Sequence, residues 1–310
     1  MDYLAIILTV LGLSLFEIIT SVDNAIINAD VLKTMRPRYR KWFLGMGLLV
    51  GVFIVRGLLP WAIVWASNPK IGAIGAFAAS FSNDPSILGA IEASAPILLI
   101  GGGTYLIFLF LHWWFLEPKS YGFYGERTIE KFGIWFFAVV SIFLAVIVWL
   151  ALHKQTMMAF GAVIGSTAFF ITHGFKTNAE QHEKDLKKEG LSDLSKILYL
   201  EVIDSTFSID SVLGAFAFTL SVPLIILGNG LGALVIRHLT IKGTDKIKDY
   251  IFLKNGAMYS ILFLGIIMVL DSFGHDIPAW ISPVITFVTV GYFFLKSKKA
   301  KDILRESISK

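Results

Sequence analysis

Nine apolar stretches, each near the length of a membrane-crossing helix, constrain this chain more than any other feature. They cover roughly residues 4–31, 42–66, 87–115, 132–152, 157–175, 197–220, 222–241, 251–271 and 279–295. A hydrocarbon core about 30 Å thick takes roughly 20 residues of helix to cross. The sequence therefore reads as an all-α polytopic membrane protein, a single transmembrane domain over 1–310 with about nine transmembrane helices. Composition agrees: 55% of residues are hydrophobic and 16% charged, with most of the charge gathered between the apolar runs. The mean hydropathy is +0.71, well on the membrane side of ordinary soluble usage. Residues 67–86 hold a shorter Gly- and Ala-rich run that ends at Asn83-Asp84-Pro85. It is too short to span, so a re-entrant or interfacial segment is expected there.

The net charge of +4 does not point to nucleic acid, because the positive residues sit at the ends of apolar segments. With nine spans the loops alternate sides. Loops 32–41, 116–131, 176–196 and 242–250 and the tail from Lys296 are basic, whereas the opposite loops carry only Lys70 and Lys154. The positive-inside rule then puts the N-terminus outside and the C-terminus in the cytoplasm of a cell membrane. Met1-Asp2-Tyr3 lacks a basic leader region, so the first segment is expected to be a permanent span. The stretch from Lys176 to Lys196 reads as a solvated linker or short surface helix, and the tail from Lys296 as a basic stub at the lipid headgroups. The chain has no cysteine, which excludes disulfides, iron–sulfur clusters and thiolate metal sites.

Two apolar runs share an unusual polar pattern. Span one reads Glu17-Ile-Ile-Thr-Ser21-Val-Asp23-Asn24, and span six reads Asp204-Ser-Thr-Phe-Ser208-Ile-Asp210-Ser211. Both fit acid-x3-Ser-x-Asp-(Asn/Ser). The next spans carry Gly45-Met-Gly47 before Arg56 and Gly228-Asn-Gly230 before Arg237, and the third spans align more loosely at Gly102 and Asn255. Polar matches at fixed spacing inside apolar runs are costly to keep in lipid. Spans one and six cross in opposite directions, so the pattern predicts an inverted repeat of spans 1–3 and 6–8. Residues 1–115 then form the first repeat and 116–196 the connecting helices and cytoplasmic loop. Residues 197–275 form the second repeat, and 276–310 the last helix and tail. Inverted repeats place substrate near the bilayer midplane.

The acids supply the chemistry. Residues three, four and seven apart share a helix face, so Glu17, Ser21 and Asn24 form one stripe and Glu201, Asp204, Ser208 and Ser211 another. Asp23 and Asp210 lie about 120° round a regular helix from the first acids. A local break near Ser21–Asn24 and Ser208–Ser211 is therefore expected if all four carboxylates meet one ligand. Carboxylate, amide, hydroxyl and carbonyl oxygens suit Mn²⁺, Ca²⁺ or Mg²⁺. Arg56 is expected to pair with an acid, Arg237 either to pair or to snorkel, and His173 to be a structural histidine. No HExxH, GxSxG or P-loop pattern occurs, so an enzyme and an ATP-driven pump are not expected.

At Ser21-Val-Asp23-Asn24 and Phe207-Ser208-Ile-Asp210-Ser211 the chain resembles the TerC-like integral membrane proteins of the LysE exporter superfamily. The likeness takes in Gly102-Gly103-Thr104 and Asn255-Gly256-Ala257-Met258-Tyr259 and covers most of the sequence. It implies divalent metal handling, notably manganese efflux, with Glu17, Asp23, Asn24, Asp204, Asp210 and Ser211 as metal-site residues. The metal would be the cargo, exchanged against protons at surplus carboxylates. The second copy opens on Asp204 and closes on Ser211 where the first has Glu17 and Asn24, which leaves open whether the halves bind equally. Two other readings stand beside it: export of amino acids or other organic solutes, as in LysE relatives, and a non-transporting stress-resistance scaffold. The partners expected are a metal ion and the lipid bilayer, and the chain is compatible with a homo-oligomer.

Overall fold

The computed structural model describes residues 3–47, 57–58, 61–62, 65, 72–81, 85–186, 192–242 and 249–308, and all regular structure among them is helical. Helix α1 (Tyr3–Thr20) meets α2 (Val22–Lys33) end to end, and α3 (Pro37–Trp42) runs into a π-helical turn, Phe43–Gly47. Then follow α4 (Gly72–Phe81), α5 (Pro85–Leu116), α6 (Tyr124–Glu130) and, after a 3-10 turn, α7 (Phe136–Leu152). The second half holds α8 (Thr156–Leu186), α9 (Asp193–Ala215), α10 (Val222–Lys242), α11 (Leu253–Ser272) and α12 (Ile281–Ile308).

Six described segments are long and apolar enough to cross a membrane: Tyr3–Thr20, Ser94–Leu116, Gly133–Leu152, Thr156–Asn178, Val222–Thr240 and Leu253–Ser272. This is a membrane protein with several transmembrane helices. Helices α9 and α12 fill the ranges expected for the sixth and ninth spans. Four acids in α9, Asp193, Glu201, Asp204 and Asp210, keep it from standing out by apolarity. Most of the expected second span, with Arg56, lies outside the described residues. Of the two readings for 176–196, a solvated linker or a short surface helix, the described part is largely helix, formed as a continuation of α8 to Leu186 that carries Lys176 inside it. In the 67–86 stretch, α4 is a ten-residue helix whose Ala73 carbonyl accepts from Trp61 Nε1 at 2.8 Å.

The core gathers around α5, which packs on α11 and α8, while α1 packs on α10 and α12. Leu13, Phe16, Tyr105, Phe108, Trp113, Leu264 and Met268 are almost wholly enclosed there. By contrast, α7 turns Ile142, Val146 and Trp149 outward, as a lipid-facing helix should. Small residues set the closest approaches, as expected where lipid removes the usual hydrophobic drive between helices. A Cβ on Gly161 would stand 2.7 Å from the Ile97 carbonyl oxygen, and one on Gly101 2.8 Å from that of Gly161, so α5 and α8 touch backbone to backbone. Gly232 plays the same part between α10 and α1, where a Cβ would lie 2.6 Å from Ser14 O and from Glu17 Cβ.

At the Lys33 end of α2, Val31, Leu32, Met35 and Phe43 close against Ile197 and Leu200 of α9. Arg36 Nε donates to Asp193 Oδ2 at 2.5 Å and Lys196 Nζ to Thr34 Oγ1 at 2.9 Å. The exposed Arg36 guanidinium holds the Asp193 carboxyl below the usual carboxylate range. These contacts fix α9 against α2 and set the register in which their polar stripes face each other.

Candidate functional site

The stripe read from helical spacing is a single buried face. Glu17, Ser21, Asn24 and Asn28 succeed one another at intervals of four, three and four residues, and each is less than a tenth exposed. Ser21 Oγ donates to Glu17 Oε1 at 2.8 Å. Asn24 Nδ2 donates to Asp204 Oδ1 of α9 at 2.6 Å, so the amide of the first acidic helix meets the leading acid of the second. Since a carboxylate only accepts, that bond fixes the Asn24 amide with its oxygen turned elsewhere. The Oδ1 atoms of Asn24 and Asn28 are buried with no hydrogen-bond partner. Both residues line a cavity of about 30 Å³ together with Ser21, Asp204, Phe43, Ala233, Arg237 and Thr240.

Asp210 lies on the other side of α9. It accepts from the Tyr105 hydroxyl at 2.5 Å and from Lys176 Nζ, and Tyr105 also shares a hydrogen bond with Thr172 Oγ1 at 2.9 Å. A second cavity, about 40 Å³, opens against Asp210 between Thr20, Lys254 and Met258. The third acid of α9, Glu201, stands 3.9 Å from Arg237 Nη2. Arg237 donates to the Phe43 carbonyl, and its guanidinium lies 4.4 Å from the Phe43 ring centre. It points inward, so of the two expectations for Arg237 it is pairing that the structure contains. Gly47 makes room for this cluster: a Cβ there would overlap Glu201 Oε1 and lie 2.8 Å from Arg237 Nη2. A π-helical turn beside a cavity is a recurrent functional arrangement.

Residues 22–302 match the family model described as Protein of unknown function (DUF475). The chain belongs to the DUF475 family. No curated protein and no solved structure matches it. The DUF475 match takes in Asn24, Asn28, Lys176, Asp204 and Asp210 and begins after Glu17 and Ser21.

In this DUF475 protein the expected helix break is present in one copy only. Ser21 separates α1 from α2 with φ −95° and ψ 1°. Even there the ladder continues, with Ser21 N donating to Glu17 O at 3.1 Å and Ala25 N to Ser21 O at 2.9 Å. Helix α9 runs unbroken through Ser208–Ser211. Ser208 and Ser211 spend their hydroxyls on the carbonyls of Asp204 and Ser208, at 2.6 and 3.0 Å. Neither segment unwinds to free the carbonyls of Glu17 and Ser21 or of Asp204 and Ser208, each of which accepts a hydrogen bond.

Of the expected site residues, the fold brings Glu17, Ser21, Asn24 and Asp204 together and sets Asp210 and Glu201 apart, each beside a basic side chain. The side chain of Asp23, and Arg56 entirely, lie outside the described residues. Among the described residues no three His, Asp or Glu side chains stand close enough to hold a metal ion by themselves, so amide and hydroxyl oxygens would complete any ligand set. Sequence reasoning passed over Asn28, Tyr105, Thr172 and Lys176. Asn28 follows Asn24 at the same four-residue spacing, a signal within reach. Lys176 opens a run of charges and so resembled the start of a loop.

A separate polar group ties the ends of α5, α8 and α11. His112 and His173 touch with ring centres 3.9 Å apart and planes tilted by 51°, His112 Nδ1 lies 3.3 Å from Glu117 Oε1, and Lys254 Nζ lies 2.9 Å from Glu117 Oε2. Burial alone would raise the Glu117 carboxyl, but the hydrogen bond from His112 and the Lys254 ammonium outweigh it and hold it well below the usual carboxylate range.

Proposed function

We propose that this protein carries a hard divalent cation, Mn²⁺ first among Mn²⁺, Ca²⁺ and Mg²⁺, across the membrane through the cavity between α2, α9 and α10. The observation that carries the reading is the buried, partnerless pair of amide oxygens on Asn24 and Asn28 beside the Asp204 carboxylate. A polar oxygen left unbonded in a low-dielectric core costs about 1–3 kcal/mol. That cost is recovered when a cation enters. Asp204, Asn24, Asn28 and Ser21 supply hard oxygen donors of the kind such ions take. Glu17, one bond behind Ser21, adds negative charge to the same wall.

Size separates the cation from the organic-solute reading. A cavity of about 30 Å³ has room for an ion or about two to three waters, a water needing about 10–15 Å³ on the same measure. An amino acid does not fit. The pairing of α1 with α11 and of α9 with α5, around a close α5–α11 contact, is the pattern that a two-fold relation between the copies requires. It supports the inverted repeat, with nine spans, the N-terminus outside and the C-terminus in the cytoplasm. On this reading the chain is kin to the TerC-like exporters. Outward movement of a doubly charged ion against an inside-negative potential costs about 4.6 kcal/mol per 100 mV, twice about 2.3. Export therefore needs coupling, and protons competing for the carboxylates supply it.

The test is Mn²⁺ flux in proteoliposomes. Asp204→Asn keeps the size and a hydrogen bond to Asn24 but removes one charged ligand. It is expected to cut flux by roughly 100-fold, the equivalent of about 3 kcal/mol lost with a charged interaction. Wild-type flux through a correctly folded Asp204→Asn protein defeats the site assignment.

A further inference from the structure

The Gly228-Asn229-Gly230 segment of α10 holds an amide that the Asp204 cavity leaves unexplained. Asn229 is fully enclosed, and neither its Nδ2 nor its Oδ1 has a hydrogen-bond partner among the described residues. Burying an amide without partners is costly, and Asn is a poor residue for a helix interior, so the fold alone is better served by an apolar side chain. Asn229 precedes Ala233, Ile236 and Thr240 by four, seven and eleven residues, which puts it on the stripe of α10 that walls the cavity. Helices α1 and α10 run parallel here: Ser14 Oγ donates to Gly228 O at 2.9 Å, Gly232 abuts Glu17, and Ile236 packs on Val22 and Ala25. Asn229 therefore lies about 10 Å from the level of Ile236 toward the Tyr3 end of α1, seven residues at the helical rise, with Glu17 between the two levels. The seam is closed beside it, since a Cβ on Gly228 would overlap Leu13 Cβ.

We infer that Asn229 is a transfer residue of the ion path, the polar group that receives the hydrated cation between the Asp204 cavity and the Tyr3 side of the membrane when the α1–α10 seam parts. Its amide is neutral, and the nearest acid on the route, Glu17, is engaged by Ser21. Such a position helps a cation to pass without holding it, as conduction through several sites requires. The glycines on either side carry no side chain into the seam, so the polar group that an opening there would uncover is the Asn229 amide. This inference rests on the proposed cation-carrying reading and names its route, along α1 and α10 rather than along α9.

The experiment compares full-length wild type with Asn229→Leu, a change of similar volume, by Mn²⁺ flux in proteoliposomes and by Mn²⁺ calorimetry and thermal melting in detergent. Flux is expected to fall roughly tenfold, as one lost polar contact on the route would cause. Mn²⁺ affinity is expected to stay at the wild-type value and the melting temperature to hold or rise, because an unpaired buried amide has been removed. Wild-type flux through Asn229→Leu overturns the inference while leaving the Asp204 site standing. Affinity that falls in step with flux overturns it too, since Asn229 would then belong to the Asp204 site, and a lower melting temperature would show the amide holding the fold together. A second measurement does not depend on leucine fitting. The chain has no cysteine of its own, so Asn229→Cys is expected to react with a small cationic thiol reagent in proteoliposomes, whereas Leu264→Cys, equally enclosed in the core, is not. Labelling of both or of neither overturns the inference. A wild type that neither binds nor carries Mn²⁺ sinks the cation reading, and this route with it.

Discussion

Asn24 and Asp204 face each other across 180 residues of sequence, joined by a 2.6 Å hydrogen bond inside the apolar core. Helical spacing alone puts Glu17, Ser21 and Asn24 on one face, and that face is buried as the spacing requires. Spacing does not say which partner each acid meets, since that depends on how helices far apart in sequence dock. Asp204 took the amide, while Asp210 and Glu201 turned to Lys176 and Arg237. Lys176 was illegible because its neighbours in sequence are polar and its partner is 34 residues away. Gly47 gives a test at this scale. A Cβ there overlaps Glu201 Oε1, whereas Gly45, in the same turn, has nothing within 4 Å. Gly47→Ala is expected to lower stability by about 1–3 kcal/mol, the usual cost of overpacking. Gly45→Ala, measured beside it by thermal melting, should change little. Equal melting temperatures for the two would remove the Glu201–Arg237 cluster from the account.

Helix α9 shows why a pattern of acids does not by itself dictate a broken helix. Both acidic segments carry Ser-x-Asp, yet only the first is interrupted, and there the hydrogen-bond ladder bridges Ser21. With Asp210 supplied by Lys176 and Tyr105 on its own side of α9, no unwinding is needed to satisfy it. The elements are also clamped at their ends, and Glu117 joins α5 to α11 through Lys254 and to α8 through the His112–His173 ring contact. Its carboxyl is held below the ordinary value, so the clamp's contribution is complete above that ordinary value, about 4.3. It is lost as the pH falls through the folded value. Melting temperature in detergent is therefore expected to be unaffected by this group from pH 7 to 5 and to drop as the pH goes from 5 to 2, and Glu117→Gln should flatten that acid part of the profile. A variant with the wild-type acid slope would show that the clamp does not hold the helices together.

For the whole molecule, the apolar runs made the class of fold legible, because about 20 apolar residues in lipid leave few alternatives to a helix. They were a poorer guide to extent. Helix α8 outruns its apolar stretch, which ends near residue 175, and continues to Leu186, and α9 crosses the site despite its acids. The proposed orientation is open to direct measurement, since the chain has no cysteine of its own. A single cysteine at Lys154 should react with an impermeant thiol reagent in intact cells, and one at Lys298 only after lysis. The reverse pattern would invert the direction assigned to the acidic helices. The central claim is that a cation sits between α2 and α9, and anomalous scattering from crystals grown with Mn²⁺ tests it most directly. The account predicts a manganese peak within coordination distance of Asp204, bounded by the amide oxygens of Asn24 and Asn28. Clear density for these three side chains with no manganese between them would contradict it.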